Sequence, residues 1–594
     1  QRTSRKRVIG TVDKKTTKVL EKRWKRKNKT EEHKISHDDE YKKCEANRPY
    51  QLVPATLGEE ASSSNSSEEN AIKPEDRLDS LNTPSTSQMR IKLPSVALAC
   101  DRTGVSDRAA AILVSAALKD MGIVTTVDSS KIVDRSKIRR ERAKVRVDLK
   151  RKDERRKEVY GIYFEGRKDQ TLVQTSKEGI SSKKTKIEEH IVLVSEPGSK
   201  YIGHFTPESG NSLSIKRGIL DFLEPTFDVS NLLVIGCDGT AVNTGSKNGI
   251  IRQLEVSLNR SLQWFVCLLH ANELPLRHLL QHLDGKTTGP KGFSGEIGKQ
   301  LEKCEILEPT NFKPIEISLP EITADKLSSD QQYLYEICNA ISKGNISLNL
   351  SKRNPGKMAH SRWLTTANRI LRLYVSTAKP SQNLIILTEY VMKVYATTWF
   401  AINSQPSCRH GSKHLFGMIE KSRFLPEDLR KIIDPLIQRN GYFGHPENLL
   451  LAMLADTRKT VRELGLRRLL KCRKIANQQE IREFKLPALK IDAEDYIDII
   501  DWQPTTITEP PLTKYISNEE LEEMILAVPE EIEILKYPCH TQAVERCVKL
   551  VTEASVAVCG NTARDGFIRA RIASRASLPV FETKSQYLQV FNVN

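Results

Sequence analysis

The stretch richest in chemical potential is Leu232-Leu-Val-Ile-Gly-Cys-Asp-Gly-Thr-Ala-Val-Asn243, where an apolar run meets Asp238, Gly239 and small polar residues. Ligands of open α/β sheets gather at the carboxyl ends of strands, so a carboxylate there is placed to hold a metal. The Asp-Gly pair also reads as an ordinary turn capped by Asp238. Downstream, Trp264-Phe-Val-Cys-Leu-Leu-His270 is an apolar run ending in Cys267-x-x-His270. Taken alone, that pair is a buried thiol and a satisfied core histidine. Tyr537-Pro-Cys-His-Thr-Gln-Ala-Val-Glu-Arg546 places Glu545 on an amphipathic helix, where alone it reads as a salt-bridge partner of Arg546. Arg362-Trp363 alone reads as the start of a packed helix with a core Trp. His278 and His282 are four apart on a helix, and could take a metal or flank the apolar face of Leu274, Leu279 and Leu283. His33, His37 and Cys44 lack the fourth ligand that structural zinc requires.

These residues need elements to position them. Residues 159–164, 171–175 and 190–195 read as strands, 212–223 as a helix and 232–237 as a buried strand. A helix over 248–258, a strand over 262–269 and a helix over 272–283 follow. Three hairpin-linked strands and then strand–helix alternation imply a mixed sheet with helices on its faces. Residues 284–530 read as mainly helical, with helices near 328–342, 361–377, 381–399, 409–421, 445–455 and 457–475. Residues 486–514 are irregular, and 536–560 form one more amphipathic helix after Pro538. Ahead of the sheet, 99–157 is helical: Ser106 is an N-cap, Gly122 a stop, and a basic helix runs from about residue 129 through Arg139, Arg140, Arg142 and Lys144. Residues 56–98 are a polar, low-complexity linker, expected to be disordered.

Composition narrows the function classes. The chain has 594 residues and a net charge of +18, and 38% of residues are hydrophobic. That fraction supports packed cores over most of the length and excludes fibrous or wholly disordered classes. No apolar run reaches the roughly 18 residues of a membrane span, so no membrane partner is expected. No apolar run follows the basic start, so no secretory signal is expected there. The chain begins at Gln1 rather than Met, as a fragment does. The positive charge sits in two places. Residues 1–50 hold 17 Lys/Arg against 8 Asp/Glu, and residues 131–157 hold 14 against 5, so the rest is net neutral. Clustered basic charge points to a polyanion, most often nucleic acid. Within the arm, 1–55, Arg5-Lys-Arg7 and Lys22-Arg23 with Lys25-Arg-Lys27 resemble a bipartite nuclear-import signal, implying a nuclear protein. The eleven cysteines show no C-x-x-C and no disulfide framework, as expected of a reducing interior.

The order of strands in 158–283 resembles the ribonuclease H-like fold. The resemblance implies an α/β ribonuclease H-like mixed sheet core, interrupted by a large all-α insertion over 284–530 and completed by a C-terminal helix within 531–594, behind a basic, partly disordered N-terminal region. In that fold the first and fourth strands each end in a carboxylate, which implies Glu165 beside Asp238. Asp238, then Cys267 with His270, Arg362 with Trp363, and Glu545 with Arg546 together resemble the hAT-type DNA transposases and proteins derived from them. That resemblance, over about 155–570, implies Glu165, Asp238 and Glu545 as catalytic acids holding Mg²⁺ or Mn²⁺ for phosphodiester cleavage and strand transfer. It implies that Cys267 and His270 shape the pocket and assist DNA positioning, and that Arg362 and Trp363 contact a distorted DNA end. DNA is the implied partner, with a homo-oligomer as the assembly. The sequence departs from the pattern in having Glu165 where the family has Asp, with Asp169 as the alternative first acid, and in lacking visible zinc-finger ligands. A non-catalytic nucleic-acid-binding or chromatin protein on the same fold, and a scaffold for protein partners, are the alternative readings.

Overall fold

The structure, a computed structural model, describes residues 92–127, 131–153, 158–177, 180–286, 292–323, 327–357, 363–475, 481, 484–503 and 509–577. The basic arm 1–55 with His33, His37 and Cys44, most of the 56–98 linker, and Arg362 lie outside the described residues.

Three helices come first: α1 (Pro94–Thr103), α2 (Asp107–Asp120) and α3 (Arg135–Asp153). The first half of helix α1 falls in the stretch expected to be linker. Pro94 opens it at a position where a missing N–H costs nothing, and Gly104 closes it at φ +71°. Ser106 caps α2 as expected, accepting from Ala109 N at 3.1 Å. Cys100, Ala110, Ala111, Val133 and Ile138 make a small shared core.

The sheet follows: β1 (Gly161–Lys177), β2 (Ile180–Glu196), β3 (Lys200–Phe205), β4 (Val234–Cys237) and β5 (Gln263–Val266), in the spatial order β3-β2-β1-β4-β5. β2 is antiparallel to β1 and β3, while β1, β4 and β5 are parallel. The expected first two strands, 159–164 and 171–175, are one long strand. The third strand is Lys200–Phe205, which was not expected. The polar run 165–170 hid the continuity of β1, because a ribbon exposed on both sides needs no apolar alternation.

Alternation assigns each residue of the sheet to a face. Tyr163, Val192, Val194, Tyr201, Val234, Phe265 and Cys267 join one core, whereas Ile162, Phe164, Ile191, Leu193, Ile202, Ile235, Cys237, Trp264 and Val266 join the other. Helices α4 (Ser212–Leu223) and α6 (Ile250–Leu258) cover the second face through Ile215, Ile219, Ile250 and Leu254, with the short helix α5 (Ala241–Thr244) between them. The first face is covered by α7 (Leu268–Asp284), by the helical insertion, and by α8 (Gln542–Ala557), whose Val544, Val548 and Val551 form an i, i+4, i+7 stripe. The insertion shares this core, so it is packed on the sheet rather than standing apart. Its expected helices recur as Ser329–Ser342, Trp363–Tyr374, Gln382–Ser404 (with a π-helical turn, Val391–Ala396), Gly411–Ser422, Pro446–Leu454 and Lys459–Ile475. A further helix, Glu427–Asn440, escaped notice because Pro435 lies inside it. The last helix, α9 (Asn561–Ser577), packs back on the N-terminal helices: Arg571 donates to Arg102 O at 3.2 Å, and the Arg146 guanidinium sits 5.6 Å from the Phe567 ring centroid.

Candidate active site

Register and alternation together bring the site residues to one place. Tyr163 pairs with Gly236, and Gly236 with Phe265. Two residues further along each strand, the same level holds Glu165, Asp238 and Cys267, all on the face covered by α7 and α8. Neighbouring strands lie about 4.8 Å apart, so these are adjacent positions. β1 does not end at Glu165 as expected. Its pairing with β4 ends two residues earlier, at Tyr163.

Each acid is held by a different local device. Asp238 Oδ1 accepts from Thr240 N (3.2 Å), Thr240 Oγ1 (2.9 Å) and Asn243 Nδ2 (2.5 Å), so it is both the turn cap and a site residue. A Cβ at Gly239 would lie 2.8 Å from Asn440 Oδ1 and 3.3 Å from the His270 ring, so glycine keeps this turn close to both. Glu545 sits in the first turn of α8, where the helix dipole favours an acid, and accepts from Thr541 Oγ1 at 3.2 Å. The segment preceding α8 is zipped between two elements. Cys539 N donates to Pro406 O (2.8 Å), Cys408 N to Tyr537 O (2.7 Å), Leu268 N to Cys539 O (3.0 Å) and Thr541 N to Cys267 Sγ (3.4 Å). The Tyr-Pro-Cys-His-Thr motif is therefore a brace that aims Glu545 at the ends of β4 and β5.

The electrostatics are those of like charges brought together. Burial, then the charges of Glu545, Asp238 and Glu273, push the Glu165 carboxyl well above the usual range, while Arg167 opposes them. Its Oε2 is buried without a hydrogen-bond partner. Glu273 was not foreseen from sequence. Burial and the charge of Glu545 push it up to about 8. It lies three residues after His270 on the same face of α7, a spacing visible in the sequence had the helix been started at Leu268 instead of residue 272. Tyr395, in the π-helical turn, has a buried, unpartnered hydroxyl pushed up by burial and by the charges of Glu273, Asp330 and Glu545. Asn272 donates to Tyr395 O at 2.9 Å, holding that turn. Such turns are frequent at functional sites.

Cys267 is buried, and burial with the Glu545 charge pushes it up to about 12, so it is a neutral thiol rather than a nucleophile. His270 is lowered by burial, against the pull of Asp238, and is a neutral imidazole at pH 7. Asp169 is on the same strand but about 13 Å beyond Glu165, at roughly 3.3 Å per residue. It pairs with Arg167 at 3.8 Å. Trp363 is only 4% exposed and belongs to the main core. In α3, Arg139, Arg140 and Lys144 are exposed. Arg142 instead bonds Asp101 (2.8 Å) and Asp107 (2.6 Å), so it ties the helices together. His278 and His282 enter no group able to hold a metal, and among the described residues no three His, Cys, Asp or Glu form one in this conformation.

Neither the known protein families nor the curated proteins contain a match to this chain.

Proposed function

We propose that this chain is a transposase-like, DNA-binding protein with a ribonuclease H-like core, in which Glu165, Asp238 and Glu545 form an acidic site for phosphodiester cleavage and strand transfer. The observation that carries the reading is the strand order β3-β2-β1-β4-β5, with Glu165 two residues beyond Tyr163 and Asp238 two beyond its partner Gly236, just past the end of β4. A helix-borne third acid joins them, felt as charge at Glu165. Hard carboxylate oxygens suit Mg²⁺ or Mn²⁺, and the orphaned Glu165 Oε2 is a donor waiting for a cation. A bound divalent ion would polarise the phosphodiester and lower the pKa of a water nucleophile. The three acids form no closed metal group among the described residues.

The chain's own residues have distinct tasks in this reading. Thr240 and Asn243 fix the rotamer of Asp238. Glu273, with a carboxyl near 8, holds a proton beside Glu545 at neutral pH. Cys267 and His270 shape the pocket floor as neutral groups. Arg362 contacts the DNA end, and Trp363 anchors its helix in the core. Arg139, Arg140 and Lys144 supply phosphate contacts, and the basic arm supplies nuclear import. Assembly as a homo-oligomer completes the reading.

The test is Mn²⁺-dependent nicking of plasmid DNA by the wild-type chain and by Asp238→Asn. Activity in the former and at least a hundredfold loss in the latter is expected. A second reading, DNA binding without cleavage, is favoured by the absence of a closed metal group among the described residues. Salt-dependent binding with no nicking in either chain would select it.

A further inference from the structure

Strands β1 and β2 outrun the rest of the sheet. β3 pairs only with Ile191–Ser195 of β2, and β4 only with Gly161–Tyr163 of β1, yet β1 and β2 stay paired out to Lys177 and Ile180. The excess is a two-stranded ribbon leaving the sheet at the level of Glu165. Residues 181–187 are all exposed, on both faces of β2. The base is anchored: His190 is buried and bonded to Thr171 (2.7 Å), Thr206 (3.2 Å) and Ser555 (3.2 Å). Cations at the base are neutralised, Arg167 by Asp169 (3.8 Å) and Lys168 by Glu189 (3.9 Å).

The outer part differs. Lys183, Lys184 and Lys186 stand opposite Gln174, Val173 and Thr171, and the sequence over 170–187 holds four lysines against one acid, Glu178. The remaining surface is hydroxyls and amide: Gln174 bonds Ser181 at 2.5 Å, and Thr175 bonds Ser182. A protein-docking surface would offer aromatic or large apolar anchors. Among the described residues of the ribbon Ile187 is the one large apolar side chain that is exposed, at 77%. A cationic, hydroxyl-rich ribbon of two strands, its β2 side exposed over 181–187, matches the width of the B-DNA major groove.

We propose that this ribbon grips duplex DNA, its three lysines neutralising backbone phosphates while the duplex runs toward the acidic site at its root. The proposal rests on the reading of the chain as DNA-binding and adds the element and its spacing. Lys186 and Lys183 are opposite residues six and nine positions beyond Glu165. At about 3.3 Å per residue that is roughly 20–30 Å, or about six to nine base pairs.

The experiment is fluorescence anisotropy of the full 594-residue chain with a duplex of about 40 base pairs across roughly 50–200 mM salt. The Lys183→Gln/Lys184→Gln/Lys186→Gln variant is expected to bind at least about tenfold more weakly, with a salt slope lower by about 2–3. The corresponding Arg variant keeps both affinity and slope. Unchanged melting of both variants separates binding from folding. A Gln variant that binds as the wild type does, with the same slope, overturns the ribbon while leaving DNA binding intact. So does a loss seen with duplex RNA but not with DNA. A wild-type chain that binds no DNA overturns the underlying reading, and the ribbon proposal with it.

Discussion

Asp456 and Glu165 are both carboxylates set against a core, and the chain treats them in opposite ways. Asp456, 3% exposed, is met by Lys413 Nζ at 2.9 Å, Arg458 Nε at 3.0 Å and Tyr496 OH at 2.6 Å. Burial pushes its carboxyl up, but hydrogen bonds from Arg458, Tyr496 and Lys413 outweigh that and hold it well below the usual range. Glu255, fully buried, is similarly satisfied by Leu262 N, Trp264 Nε1 and Arg252. Glu165 has neighbours of its own sign and an oxygen with no partner. Buried polar groups in folded chains are nearly always paired, so an acid left short among other acids marks a place where stability was not the requirement.

The contrast can be broken by mutation. The largest effect is expected at the structural carboxylate. Asp456→Asn strands Lys413 and Arg458 and should lower stability by about 2–3 kcal/mol in denaturant titration, with no change in DNA binding. Loss of stability below about 0.5 kcal/mol would erase the distinction.

A smaller effect of opposite sign is expected at Glu273. A carboxyl raised in the folded state binds more protons than in the unfolded chain, so its contribution is full below about 4.5 and is lost as pH rises through about 8. Glu273→Gln removes that loss. It should be more stable than the wild type by about 1–2 kcal/mol at pH 8 and indistinguishable near pH 4.5. A pH-independent difference would remove Glu273 from the acidic group.

The legible part of this molecule was the buried part. β4 and β5 were readable because all four residues of each are buried, which forces continuous apolar runs. Ser212–Leu223 was readable from its apolar spacing, and Asp238 from its place after such a run. Of the ribbon, 171–175 was readable as a strand, but its partner over 181–187 was not, because those residues are all exposed and carry no apolar alternation. β3 was missed because Lys-Tyr-Ile-Gly-His-Phe mixes polar and apolar residues at a sheet edge. Glu273 was missed through a helix start misjudged by four residues. Arg142 was read as a DNA contact because its charge is plain in the sequence, while Asp101 and Asp107, its partners, lie 41 and 35 residues away. Trp363 was read both as a DNA contact and as a core residue, and it is buried in the main core.

The proposed cation site lies at the under-neutralised acids Glu165 and Asp238. The direct test is calorimetric titration of Mn²⁺ into the full-length chain at pH 7, in two buffers of different ionisation enthalpy. Binding to the wild type with proton release is expected, because the raised Glu165 and Glu273 carboxyls must give up protons as the cation arrives. Glu165→Gln and Asp238→Asn should each abolish it. A wild-type chain that takes up no Mn²⁺, or one whose binding is unchanged in both variants, would contradict the account.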